Sequence, residues 1–133
     1  MNNWTGYAQY RDQRILTASP GDLILLLYDG GIRQVRLARL AIQDNKMGDA
    51  SVALIKAQEI VEELMAGLDF EIDLAHDLFR LYDYLLHRLT QANLEKDDAA
   101  AQEAETMLVE LRQTWAEVVQ ISRMPVGVAA NLF

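Results

Sequence analysis

The chain has 133 residues, with 12 basic and 20 acidic side chains, a net charge of −8 and no cysteine. That length supports one domain with a core of its own, and the lack of cysteine excludes disulfides, thiolate metal sites and a cysteine nucleophile. The acidic balance argues against nucleic acid as a partner, because neutralising phosphates needs clustered Lys and Arg.

Residues 1–18 read as an N-terminal arm, or a short cap helix, that covers the rest. The arm is polar at its start, without the plan of a signal peptide, so Asn3-Trp4-Thr5 is a chance match to a glycosylation sequon. Its apolar content is Trp4, Tyr7, Tyr10, Ile15 and Leu16. A helix start follows. Ser19 can cap free amides and Pro20 suits the first helical position, where no amide is needed. Asp22 places negative charge at the positive end of the helix dipole. The spacing predicts a helix over residues 20–44.

Six apolar residues in a row, from Leu23 to Tyr28, make this first helix apolar all round. Such a helix needs cover on more than one side. Either two bundle neighbours supply it, or a second, exchangeable cover does. Gly30 and Gly31 each cost about 1 kcal/mol relative to alanine inside a helix. They allow close packing on a neighbouring helix or the approach of a partner helix. Arg33, Arg36 and Arg39 form the one basic stripe. With Asp29 a turn before Arg33, it reads as a solvated face with local ion pairs.

Three further apolar-periodic runs follow. Residues 49–68 carry Ala50, Leu54, Ala57, Val61, Leu64 and Leu68. Residues 73–94 carry Leu74, Leu78, Leu81 and Leu85, with Tyr82, Leu86 and Leu89 on the adjacent row. Residues 97–123 carry Ala101, Ala104, Leu108, Leu111, Trp115 and Val118, with Trp115 assigned to the core. At the first junction Gly48 supplies a stop and Asp49 a cap for the next helix. Residues 69–73 turn without glycine, and residues 93–97 make the third turn. Short connections imply antiparallel neighbours, so the expected fold is all-α, an up-down-up-down four-helix bundle over residues 19–123. Each helix would span ~30–38 Å. The tail, residues 124–133, is apolar and either docks on the bundle or stays mobile. No apolar run nears the ~20 residues of a membrane span, so a cytoplasmic protein without membrane insertion is expected.

Little here points to catalysis. A carboxylate-bridged metal pair in a bundle needs Glu-x-x-His on two helices and a Glu on each of two others. Asp73-x-x-His76 is a partial match, but His87 follows Tyr84, and Glu59, Glu62 and Glu63 fall mostly off the apolar row. There is no glycine-rich phosphate loop and no G-x-S-x-G elbow. No enzyme activity, metal or cofactor is expected.

Several segments carry a resemblance. They are Tyr7-x-x-Tyr10-x-x-x-x-Ile15-Leu16-Thr17-Ala18-Ser19-Pro20, Leu26-Leu27-Tyr28-Asp29-Gly30, Leu68-Asp69-Phe70-Glu71, Leu81-Tyr82-Asp83-Tyr84, Arg88-Leu89-x-x-Ala92-Asn93 and Leu111-Arg112-x-x-Trp115. In this order, over residues 7–119, the chain resembles the FliS family of flagellar export chaperones. It departs from the family pattern in the glycine-free Glu71-Ile72-Asp73, in Gly31 where alanine is common, and in the tail after Arg123. The resemblance implies a cytosolic helical bundle that binds the C-terminal segment of flagellin, keeps it unpolymerised and delivers it to the flagellar type III export gate, without cofactor or turnover.

The residues themselves suggest how. An aromatic arm directly before an over-apolar helix would be a removable cover, displaced by a client or clasping it. The expected partner-binding set is Tyr7, Tyr10, Ile15, Leu16, Leu23, Leu26, Leu27 and Tyr28, with Leu78, Tyr82 and Leu86 as a second group. Helix rotation decides which of these are core. The expected state is a monomer or weak dimer. The alternatives are a self-associating helical adaptor without a flagellin client, and a metalloenzyme using Asp73, His76 and His87.

Overall fold

A computed structural model describes residues 20–122. The arm and tail, with Tyr7, Tyr10, Ile15, Leu16 and the Ser19 cap, lie outside the described residues. Four helices make up the described part: α1 (Pro20–Gln43), α2 (Met47–Ala66), α3 (Asp73–Glu95) and α4 (Asp98–Ser122). Each packs on the next, and α4 closes the ring against α1, so that α1 and α3 face each other across the diagonal. Cross-helix bonds fix the sense of the neighbours. Asp29 meets Arg112 while Arg39 meets Asp98, and Ser51 meets Asn93 while Gln58 meets Thr90. Both of these pairs, α1 with α4 and α2 with α3, therefore run antiparallel.

Pro20 opens α1, as its fixed φ and missing amide predict. The first junction is built differently from the expectation. Asn45, not Gly48, takes the left-handed conformation (φ 57°). Its N–H donates to the Ile42 carbonyl and that of Lys46 to the Ala41 carbonyl, the paired pattern that closes a helix on a left-handed residue. Gly48 is already inside α2, and Asp49 stands in the first turn rather than at the cap. There it still favours the positive end of the dipole. Asparagine can do this because its short polar side chain tolerates the left-handed region. Lys96 (φ 51°) ends α3 the same way, with its Nζ on the Asn93 carbonyl. Asp97 then caps α4, its Oδ1 accepting from the Ala99 amide at 2.9 Å.

The basic stripe also differs from expectation. Arg36 and Arg39 reach across to α4, where both bind Glu105 and Arg39 also binds Asp98. Asp29 pairs with Arg112 of α4 instead of Arg33. Long arginine stems can reach a neighbouring helix as easily as the next turn. Burial alone would raise the Glu105 carboxyl, but the bonds from Arg36 and Arg39 outweigh it and hold it below the ordinary carboxylate range. The stripe thus ties α1 to α4.

The core is graded along the bundle. At one end it is built from alanines: Ala38 and Ala41 of α1, Ala50 and Ala53 of α2, Ala92 of α3, and Ala100, Ala101 and Ala104 of α4, all buried. Towards the other end stand Tyr28, Leu64, Leu78, Tyr82 and Trp115. Tyr28 is 0% exposed and Tyr82 1%. Their hydroxyls share a hydrogen bond of 2.5 Å across the diagonal, and the Trp115 side chain bonds to both. Burial pushes both phenols above their ordinary range, so they stay neutral. A buried hydroxyl needs such a partner, since leaving one unsatisfied costs about 1–3 kcal/mol.

Gly31 faces this core. A β-carbon there would meet Leu108 Cδ1 at 3.5 Å and Ile60 Cγ2 at 3.6 Å, which are ordinary contact distances. The glycine is therefore not required by a tight helix crossing, and its face is closed to any partner.

Two consequences can be measured. Gly31→Ala should raise stability by about 0.5–1 kcal/mol in urea unfolding, by removing the helical glycine penalty; a loss would mean that Leu108 and Ile60 cannot accommodate the methyl group. Tyr28→Phe should cost about 0.5–1.5 kcal/mol, and Tyr28→Phe/Tyr82→Phe less than the sum of the two single changes, because the two hydroxyls share one bond that either change removes. Additive costs would contradict the shared bond.

Candidate functional site

At the large-residue end the four helices do not close on one another. They leave a pocket of about 220 Å³. Pro20, Ile24 and Leu27 of α1, Leu64 of α2, Leu74, Ala75, Leu78 and Tyr82 of α3, and Trp115 of α4 line it. Leu68 and Ile72, from the turn between α2 and α3, complete the wall, with Glu63 and Asp69 as charged members of the lining.

The turn is shaped by its own residues. Asp69 accepts from the Glu71 amide through its side chain and from the Ile72 amide through its carbonyl, a local turn that needs no glycine. Phe70 is exposed, with its ring edge-on to Phe79 at 5.7 Å and tilted against His76 at 5.3 Å. His76 Nε2 lies 3.0 Å from the Phe70 carbonyl. With Phe70 fastened on the outside, Leu68 and Ile72 are left to line the pocket.

From the pocket an apolar stripe continues along α3. Leu74, Leu78 and Leu81 follow at i, i+4 and i+7, so they share a face. Leu78 is buried, but Leu74 is 44% and Leu81 40% exposed. Leu111 and Val118 of α4 are half-buried against the core. The pocket, lined mostly by apolar side chains with Glu63 and Asp69 among them, is concave, and exposed Leu74 and Leu81 extend its apolar character along α3. Such a surface can take the apolar side chains of a docking segment.

The sequence-based set divides on this surface. Leu27 and Leu78 line the pocket. Tyr82, 1% exposed, also lines the pocket, and Tyr28, 0% exposed, is enclosed in the core. Leu23 and Leu26 are half-buried and lie outside the pocket lining. Leu86 is packed partly against the core and borders a separate shallow recess with Leu94. Trp115 is buried, as its row on α4 predicts. Ile24, Leu64, Leu68, Ile72 and Leu74 also line the pocket and are absent from the sequence-based set. Leu64, Leu68 and Leu74 stood in the expected core rows, and the signal that could have singled them out is their position on either side of a connection too short to cover them.

The metal-binding alternative gains no geometry. His87 Nδ1 lies 2.8 Å from the Asp83 carbonyl and His76 is held at Phe70. Among the described residues no three His, Asp or Glu side chains are grouped as ligands would be. No described helix is long and apolar enough to cross a membrane.

Comparison with known proteins supplies the family. The family model described as "Flagellar protein FliS" matches residues 1–122. The flagellar secretion chaperone FliS of Bacillus subtilis is 37% identical over 117 residues, covering 88% of each chain. That of Salmonella typhimurium is 37% identical over 116 residues, covering 84% of this chain and 86% of its own. A crystal structure of a flagellar chaperone from bacteria superposes with a TM-score of 0.71 at 22% identity, covering 89% of this chain and 98% of that one, a likeness of fold. This is a family of chaperones and not of enzymes, and the chain is a member of it, the FliS family of flagellar secretion chaperones.

Proposed function

We propose that the pocket and the α3 stripe shelter the C-terminal segment of flagellin in the cytoplasm. There they keep it from polymerising until the complex reaches the flagellar type III export gate. The observation that carries this reading is the open end of the core, where Leu27, Leu68, Leu74 and Leu78 line an apolar cavity that continues onto exposed leucine. The relatives named flagellar secretion chaperones support it. An amphipathic segment can fold against such a surface as it binds. Ordering it costs about 2–5 kcal/mol, which moderates the affinity and suits a client that must later be released.

The arm fits the same scheme as a removable cover. Pro20 lines the pocket, so Tyr7, Tyr10, Ile15 and Leu16 are tethered to its rim by a short length of chain. A tethered cover competes at a high effective concentration, and a client displaces it only by burying more apolar surface.

The test is capture of purified flagellin, intact and lacking its C-terminal segment, by the full chain and by Leu74→Glu. Leu74 is 44% exposed, so the variant should fold normally, and its carboxylate would sit in the apolar wall. Intact flagellin should bind the unaltered chain, truncated flagellin should not, and Leu74→Glu should weaken binding at least about tenfold, the equivalent of ~1.4 kcal/mol. Equal capture of both flagellins, or unchanged affinity of Leu74→Glu, would contradict the proposal.

A further inference from the structure

The helix that leads into the apolar tail ends beside an apolar seam. Tyr84 and Arg88 of α3 both bind Glu103 of α4, which marks the sides on which these two helices face each other. On α3, Leu81 and Leu74 stand two and four turns before Arg88 on that side. On α4, Met107, Leu111, Val118 and Ile121 follow Glu103 at i+4, i+8, i+15 and i+18, again along one side. The seam between the helices is therefore polar at Glu103 and apolar towards the pocket end. Leu74, Leu81 and Ile121 are exposed, and Met107, Leu111 and Val118 are only partly buried against the core.

The described part of α4 ends at Ser122, next to Ile121. The stretch that follows Arg123, from Met124 to Phe133, carries no charged side chain. Its sequence suits a return along the seam. Met124-Pro125-Val126-Gly127 has proline second and glycine fourth, the preference of a type I reverse turn. Val128, Ala130 and Leu132 then alternate, so an extended segment would present all three on one face. Residues 128–133, extended, span ~20 Å, and Ile121 stands ~15 Å from Leu111 along the α4 axis. The length of the segment matches the length of the apolar seam.

We propose that residues 128–133 of this chain dock on the α3–α4 seam, with Val128, Ala130 and Leu132 turned towards Leu81, Leu111 and Val118. The tether favours this occupant over a separate partner, because a segment joined to the end of α4 is present at high effective concentration. The net charge of −8 opposes the approach of a second copy, whereas an uncharged segment adds no repulsion. The docking depends only on the chain's own residues. Leu74 and Leu81 also belong to the stripe proposed for the client, so tail and client would exclude each other there, a step that rests on the proposed function and is separable from the docking itself.

A spin label on the full chain tests it. Asn131 falls on the opposite face of the alternation, and the chain has no cysteine, so Asn131→Cys accepts a single nitroxide. In methyl NMR, read against the reduced label, the nitroxide should erase the signals of Leu81, Leu111 and Val118 and spare those of Leu37, Leu40 and Val52 at the far end. Adding Leu81→Glu should restore Leu111 and Val118; Leu81 is exposed, so this variant should fold. Val128→Asp/Leu132→Asp should restore them from the side of the tail. Full seam signals beside the nitroxide, or a loss that neither variant relieves, would overturn the docking. The same loss caused by a nitroxide on a separate, isotopically silent copy would assign the seam to a second copy and overturn it as well. Saturation with the isolated C-terminal segment of flagellin should bring the seam signals back. Flagellin bound with the tail still in place would overturn the exclusion and leave the docking standing, and failure of flagellin to bind would count against the proposed function alone.

Discussion

The hydrogen bond between Tyr28 and Tyr82 joins the two helices of the bundle that are not neighbours. Rings of four helices are ordinarily held by contacts around the circumference, with apolar side chains meeting at the centre. Here a polar link spans the centre itself. It has to be satisfied inside the protein, because both hydroxyls are out of reach of water, and the Trp115 side chain joins it from α4. Three helices are thereby fixed in rotation at one level. The outward and inward assignment of every other residue on α1 and α3 follows from that level. Leu27 and Leu78, one position before Tyr28 and one turn before Tyr82, come to line the pocket because the two tyrosines are held inward.

Above and below that level the bundle differs. Alanine recurs among the buried residues at one end, where Leu54 and Leu89 are also buried. Leucine, tyrosine and tryptophan at the other end hold the helices apart, and the connection from α2 to α3 is too short to cover the space they leave. The result is one half lined by buried alanines and another that carries the apolar pocket. A binding protein needs both, since the shape of the pocket is only as well defined as the scaffold that carries it.

Much of this was legible in the sequence. Two prolines bracketing four runs of apolar period, with short connections, define the bundle and its antiparallel sense, and Pro20 marks the start of α1. Because glycine is the usual left-handed residue, the sequence points to Gly48 as the stop of α1, while Asn45 adopts that backbone instead. The arginine stripe was read as local because spacing along one helix is visible in a sequence and a neighbouring helix is not. For the same reason, the rotation that encloses Tyr28 and exposes Leu37 and Leu40 could not be read from a run apolar on all sides. The pocket draws residues from four helices and a turn, so only the packed bundle brings Leu27, Leu68, Leu74 and Leu78 together.

Membership in the FliS family and the apolar pocket motivate the proposed account, in which the large-residue half of the bundle shelters a client chain and the alanine half is scaffold. The most direct measurement is methyl NMR of the full chain titrated with the isolated C-terminal segment of flagellin. The account predicts perturbed methyl signals at Leu27, Leu64, Leu68, Leu74 and Leu78, with those of Ala50, Ala53, Ala100 and Ala104 unmoved. Perturbations confined to the alanine end, with the pocket leucines unchanged at saturation, would contradict it.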